Sequence, residues 1–80
     1  MYLHICKDTI IKKENIIGIF KLSTIEKTKE YESIKQDLEK NKKLIDEANG
    51  DKKTFVLTKD KAYISNISAE TLEKRAKSNV

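Results

Sequence analysis

The 80-residue chain has no proline and no tryptophan, only two glycines, one histidine and one cysteine. A single cysteine excludes an internal disulfide, and with it the class of small secreted proteins that disulfides hold together. No apolar run approaches the roughly 20 residues that a membrane-spanning helix needs. The first residues also lack the basic and apolar regions of a signal peptide. We therefore expect a cytoplasmic protein that forms one domain over residues 1–80 and contacts no membrane.

The sequence is equally poor in motifs that carry catalysis or bind metal. His4 and Cys6 lie two residues apart on a predicted strand and should share one face, but no third group is evident to orient a Cys–His pair. A metal site needs three or four ligands, and the single histidine and cysteine fall short of that. Gly18 and Gly50 form no phosphate-binding glycine motif. We expect no enzymatic activity, no cofactor and no metal.

Lysine carries almost all of the positive charge. Of the 17 basic residues 16 are lysine, and against 13 acidic residues they leave a net charge of +4. This charge permits contact with nucleic-acid phosphates, and it equally suits an ordinary solvated surface. The helical lysines alternate with acidic residues, which indicates a solvated face. The candidate phosphate contacts lie where two predicted turns border strands: Lys12, Lys13, Lys52 and Lys53. If the sheet brings both turns to one edge, they form a single phosphate-binding rim.

The apolar pattern predicts a small α+β domain. Alternating or β-branched stretches predict strands, and spacings of three or four residues predict helices. The predicted elements are strands at 2–6, 9–12 and 16–22, a helix from residue 23 to about 40–43, a hairpin over 53–65 and a helix over 69–77, with turns at 7–8, 13–15 and 48–51. Ser23 to Glu26 fits a capping box, so the longer helix is predicted to begin at Ser23. Leu44 and Ile45 form either a last helical turn or a short extended segment. The order is β-β-β-α-β-β-α.

The strand over residues 16–22 is apolar on both faces. Alternation places Ile17 and Ile19 on one face and Ile16, Phe20 and Leu22 on the other, so both faces should be covered. The second cover is either another subunit or a loop of the same chain. Small domains without disulfides or metals often gain stability by self-association. The candidate oligomer interface is therefore Ile16, Ile17, Ile19 and Phe20.

Three separated segments resemble a known family. They are Met1-Tyr2-Leu3-His4-Ile5, Ile16-Ile17-Gly18-Ile19-Phe20, and the tail from Tyr63 to Arg75. Together they resemble the RemB branch of the RemA/RemB-like extracellular-matrix regulators of Gram-positive bacteria. The stretch Leu44-Ile45-Asp46 followed by Gly50 resembles the RemA branch. The resemblance extends over nearly the whole chain and is weakest in the charged helix.

The resemblance implies a small cytoplasmic regulator that promotes transcription of biofilm-matrix genes. It implies a fold likened to LytTR DNA-binding domains and, from the RemA branch, a ring of subunits that binds double-stranded DNA. In that branch the DNA-binding residues are arginines, in the loop before the I-I-x-I strand and just after the glycine of the later turn. The matching stretches here are Lys12 to Asn15 and Asp51-Lys52-Lys53. The charge is thus partly kept as lysine and partly reversed. Lys21 stands where relatives tend to have aspartate.

Two functions of different class follow from these observations. The first is a DNA-binding transcriptional regulator, a ring-like homo-oligomer whose basic turns contact the DNA backbone. The second is a protein–protein interaction and oligomerisation module of the same fold that has lost direct DNA binding. Glu14 and Asp51 favour the second function, because carboxylates beside the basic turns repel phosphate.

Overall fold

The computed structural model describes residues 2–6 and 9–77. Its strands are β1 (Tyr2–Cys6), β2 (Thr9–Lys12), β3 (Ile16–Lys21), β4 (Leu44–Asp46), β5 (Thr54–Thr58) and β6 (Ala62–Ser65), and its helices are α1 (Leu22–Ile25), α2 (Lys29–Lys40) and α3 (Ala69–Lys77). One 3-10 turn, Lys13–Asn15, joins β2 to β3. The α+β class is confirmed. The described residues contain six strands where about five were expected, because Leu44–Asp46 is extended, and the predicted turn at 7–8 lies outside them.

The strands form two separate sheets. β1 and β2 pair as an antiparallel hairpin. The other four strands form a sheet in the order β3-β5-β6-β4, in which β5 is antiparallel to both neighbours and β4 is parallel to β6. β3 is therefore an edge strand. In the part of the chain that the structure describes, no helix combines the length and apolarity that a membrane crossing requires.

Each face of the four-stranded sheet has its own hydrophobic cluster. The first cluster contains Leu3, Ile5, Cys6, Ile11, Val56 and Leu72, and so joins the hairpin and α3 to the sheet. The second contains Leu22, Tyr31, Ala48, Phe55, Ala62 and Ile64, and lies beneath α1 and α2. Val56 and Phe55 are neighbours on β5 that point to opposite faces, as strand geometry requires. The β1–β2 hairpin covers the Val56 face of the sheet, which the sequence pattern did not predict, so a single chain buries both faces of β5.

Two irregularities in strand pairing overturn predicted side-chain directions. The register shifts between His4 and Cys6, and Cys6 is buried with the first cluster while His4 is exposed. The register also shifts between Ile16 and Gly18, and both Ile16 and Ile19 pack against the first cluster. The predicted shared face of His4 and Cys6 is therefore wrong, as is the assignment of Ile16 and Ile19 to opposite faces. An extra residue in a strand reverses the alternation beyond it.

The predicted start of the longer helix is also wrong. Ser23 lies inside the short helix α1, and a break at residues 26–28 separates α1 from α2. Thr28 is the N-cap of α2: its hydroxyl accepts a hydrogen bond from the Tyr31 backbone N–H at 3.2 Å and donates one to the Ile25 carbonyl at 2.7 Å. This single hydroxyl therefore serves the end of α1 and the start of α2.

We expect Thr28→Ala to lower the free energy of unfolding by about 1 kcal/mol, because it leaves helix-end groups without a partner. Urea unfolding at one protein concentration measures this loss. Ser23→Ala is the matched control and should change the stability by less than about 0.5 kcal/mol, as for other exposed positions. A larger loss for Ser23→Ala than for Thr28→Ala would restore the capping box predicted from the sequence.

The ends of α2 and α3 follow recognisable signals. α2 closes with the Lys43 N–H donating to the Leu38 carbonyl at 2.7 Å and the Lys42 N–H donating to the Glu39 carbonyl at 3.1 Å, while Lys42 adopts a φ of 57°. This is the pattern of a Schellman motif, with lysine at the position that glycine usually takes. α3 begins as predicted, because the Ser68 hydroxyl accepts from the Thr71 N–H at 3.2 Å.

Candidate nucleic-acid interface

The two predicted lysine pairs lie at opposite ends of the β3–β5 pair. At one end, the Lys59 N–H donates to the Asn15 carbonyl at 2.9 Å, beside the turn that carries Lys12 and Lys13. At the other end, the Leu22 N–H donates to the Lys53 carbonyl at 3.0 Å. The length of β5 separates the two ends, roughly 13 Å at 3.3 Å per residue. The two turns therefore do not lie at one edge of the sheet, and the pairs do not form one rim within a single chain.

Lys52 and Lys53 border a cavity that we call the basic cleft. It has a volume of about 240 Å³ and is lined by Lys21, Ser23, Lys52, Lys53, Ser68 and Glu70, among others. Antiparallel pairing creates the cleft, because Lys21 at the end of β3 lies opposite Thr54 at the start of β5. Three lysines and one glutamate thus line this space, mainly with the apolar stems of their side chains. The long lysine side chains can turn their ammonium groups toward an anionic group at the mouth of the cleft.

Both lysines of this pair are engaged by neighbouring aspartates. The Lys52 Nζ lies 3.5 Å from Asp46 Oδ2, and the Lys53 Nζ lies 3.7 Å from Asp51 Oδ2. The side chains in these ion pairs are about half exposed, and exposed pairs of this kind contribute at most about 1 kcal/mol. A phosphate can therefore displace the carboxylates, although they lower the positive potential of the cleft until it does.

One residue of the other lysine pair, Lys12, lines a second groove. This groove has a volume of about 340 Å³, and Tyr2, Asp60, Lys61 and Tyr63 also line it. Lys12 is exposed, while Lys13 is half-buried at the start of the 3-10 turn. Glu14 stays ionised here, and its pKa is held below the ordinary value chiefly by a backbone hydrogen bond within Glu14. The carboxylates of Glu14 and Asp60 therefore offset part of the lysine charge.

The four residues of the predicted oligomer interface are divided between interior and surface. Ile16 and Ile19 are half-buried against the first cluster. Ile17 is 62% exposed and Phe20 is 37% exposed, so only these two present much apolar surface on the edge strand. A Cβ at Gly18 would lie 2.5 Å from the Phe20 ring, so glycine there lets the ring lie against the backbone.

Sequence reasoning did not assign Lys21 and Lys61 to these sites. Lys21 belongs to the basic cleft only because β3 pairs antiparallel with β5, and Lys61 faces Lys12 because the turn after β5 meets the turn before β3. The alternation of apolar residues predicted these strands, but it does not specify which strands are neighbours in the sheet. Within residues 2–6 and 9–77, no three His, Cys, Asp or Glu side chains are grouped closely enough to hold a metal ion.

Comparisons with known proteins agree with the resemblance that the sequence motifs suggested. The family model "RemA-like: Extracellular matrix regulatory protein A-like" matches residues 2–76. The chain is also 34% identical over 77 residues to extracellular matrix regulatory protein B of Bacillus subtilis (strain 168). That alignment covers 95% of this chain and 90% of the relative. The chain therefore belongs to the RemA-like family of extracellular matrix regulatory proteins.

Proposed function

We propose that the protein is a DNA-binding transcriptional regulator of extracellular-matrix (biofilm) genes, without enzymatic activity, that acts in the cytoplasm. The observation that carries the proposal is the basic cleft, a cavity of about 240 Å³ that Lys52 and Lys53 line in a chain of this family. Lysine ammonium groups contact phosphates as point charges, and phosphate contacts carry no direct sequence information. The expected ligand is therefore the backbone of double-stranded DNA, recognised with the help of its shape.

We propose further that the protein works as a ring-like homo-oligomer. One subunit has a pair of lysines at each end of the β3–β5 pair, and nearby carboxylates lower the positive potential at both ends. Linking many such contacts in one assembly multiplies their effect, because each contact after the first is intramolecular. The edge strand β3 supports self-association, since Ile17 and Phe20 are exposed beside a strand edge that no other described strand covers. Proteins commonly cover such an edge to prevent uncontrolled pairing.

A gel-shift titration across a salt series, combined with light scattering, tests this function. The proposal expects retardation of duplex DNA at low salt, a steep negative slope of log affinity against log salt, and a mass of several subunits. A slope near zero, or no retardation at low salt, would exclude DNA binding through phosphates. A strictly monomeric protein, with and without DNA, would exclude the ring.

The second candidate is an oligomerisation and protein-interaction module that has lost DNA binding. The ion pairs of Lys52 with Asp46 and of Lys53 with Asp51 favour it, since they supply counterions from within the chain. This candidate predicts an intact oligomer that leaves duplex DNA unretarded. It also predicts that binding of a purified protein partner survives Lys52→Glu and Lys53→Glu.

A further inference from the structure

We propose that Lys21 is a third phosphate contact, which completes with Lys52 and Lys53 a single site for a DNA backbone phosphate in the basic cleft. The inference deepens the proposed function and rests on it. Nothing in the pattern of the isolated sequence joins Lys21 to the two later lysines. The juxtaposition comes from the fold, which brings residues about 30 positions apart in the chain to one end of the β3–β5 pair.

The backbone holds the three lysines close to one another. Lys21 is the last residue of β3 and pairs with Thr54, and the next residue, Leu22, donates its N–H to the Lys53 carbonyl at 3.0 Å. The Lys53 N–H in turn donates to the Ser65 carbonyl at 3.0 Å, which ties this segment to β6. The cleft that they line could hold several water molecules at about 30 Å³ each, and therefore also a phosphate group.

Lys21 differs from the other two lysines in its charge environment. Within the described residues, Lys52 and Lys53 each face an aspartate, whereas Lys21 has no carboxylate at ion-pair distance. The carboxylate that lines the cleft with it is Glu70, at the start of α3. The Ser68 hydroxyl is already used as the cap of α3. Lys21 therefore brings positive charge to the cleft that no carboxylate must first release, and it should contribute at least as much to phosphate binding as either neighbour.

Gel-shift titrations of the full-length protein with duplex DNA of mixed sequence test this role. Removing one phosphate contact reduces the steepness of the log–log salt dependence by about 0.9, which near 0.1 M salt corresponds to about 8-fold weaker binding for each contacting subunit. We expect Lys21→Gln to show this change, Lys21→Glu to exceed it, and Lys21→Arg to retain the wild-type slope. Lys40→Gln is the matched control, because Lys40 is exposed in the last turn of α2 and lines neither cavity described above.

The outcomes separate this inference from the function on which it rests. If the wild-type protein fails to retard DNA, the proposed function fails and Lys21 has no such role. If the wild-type slope is steep but Lys21→Gln matches Lys40→Gln, the function stands and the role of Lys21 is overturned. The NMR chemical shifts of backbone amides provide a second measurement. Duplex DNA should shift the signals of Lys21 and Ser23, whereas a response of those signals to inorganic phosphate and not to duplex DNA, at matched ionic strength, would make the cleft a free-anion site and overturn the proposal.

Discussion

Replacing both Lys52 and Lys53 by glutamate is expected to weaken binding to duplex DNA by more than about 60-fold near 0.1 M salt. Two lost phosphate contacts account for about 60-fold, since each contributes roughly 0.9 to the log–log salt slope. Charge reversal also repels the DNA phosphates, because the two new carboxylates join those of Asp46 and Asp51, which lose their lysine partners. A ring amplifies the loss, because every subunit loses the same contacts. Gel-shift titrations at several salt concentrations measure both the affinity and the slope.

The matched control for this double variant is Lys40→Glu with Lys43→Glu. It changes the net charge by the same amount at exposed residues at the end of α2, away from the basic cleft. We expect it to weaken binding far less and to leave the salt slope near the wild-type value. An equal loss in both variants would mean that net charge, and not the basic cleft, determines binding. Circular dichroism and light scattering must show that each variant keeps its fold and mass.

Local signals in the sequence predicted most of the secondary structure. The run Thr54–Thr58 is rich in β-branched and apolar residues and forms β5, and Ser68 caps α3 as its position indicates. Gly50 adopts a φ of 93° in the predicted turn, a value that glycine reaches without strain. Each of these features depends on a few adjacent residues, which is why the sequence was sufficient to predict them.

The predictions that were wrong share one physical cause, because each concerns a feature that depends on pairing or packing between residues distant in the chain. The irregular pairing at Ile16 and Gly18 is set by β5, about 40 residues later, and leaves no mark on the alternation itself. The packing of the β1–β2 hairpin on the sheet also depends on distant residues, because the Ser65 hydroxyl of β6 donates a hydrogen bond to the Ile5 carbonyl of β1. Likewise, Thr28 and Ser23 are both good N-caps by residue type, and packing decided between them.

The candidate site was predictable in its residue types but not in its arrangement. The basic turns are visible in the sequence, and both contain exposed lysine. Their separation follows from the antiparallel pairing of β3 with β5, which sends Lys12 and Lys53 to opposite ends. The same pairing adds Lys21 to the basic cleft. A residue's membership in a site thus depended on strand neighbours, which composition and spacing do not specify.

The second large effect is expected in the core, where Phe55→Ala should lower the free energy of unfolding by about 3–5 kcal/mol. Phe55 is 1% exposed, and its ring meets the Tyr31 ring edge-on at a centroid distance of 5.2 Å. A chain of 80 residues has a total stability of roughly 4–12 kcal/mol, so the variant should be close to unfolding at room temperature. Urea unfolding followed by circular dichroism measures the loss, and Phe55→Leu provides a milder variant that remains folded.

Phe20→Ala is the matched comparison for Phe55→Ala, because the two rings lie at a centroid distance of 6.4 Å, tilted by 38°, but differ in burial. Phe20 is 37% exposed on the edge strand, so its removal should cost the isolated fold less than half as much. If β3 is the surface through which subunits associate, Phe20→Ala should instead lower the oligomer mass in light scattering while the fold persists. Equal losses of unfolding free energy in the two variants, with the mass unchanged, would place Phe20 in the core of each subunit and remove the structural support for assembly through β3.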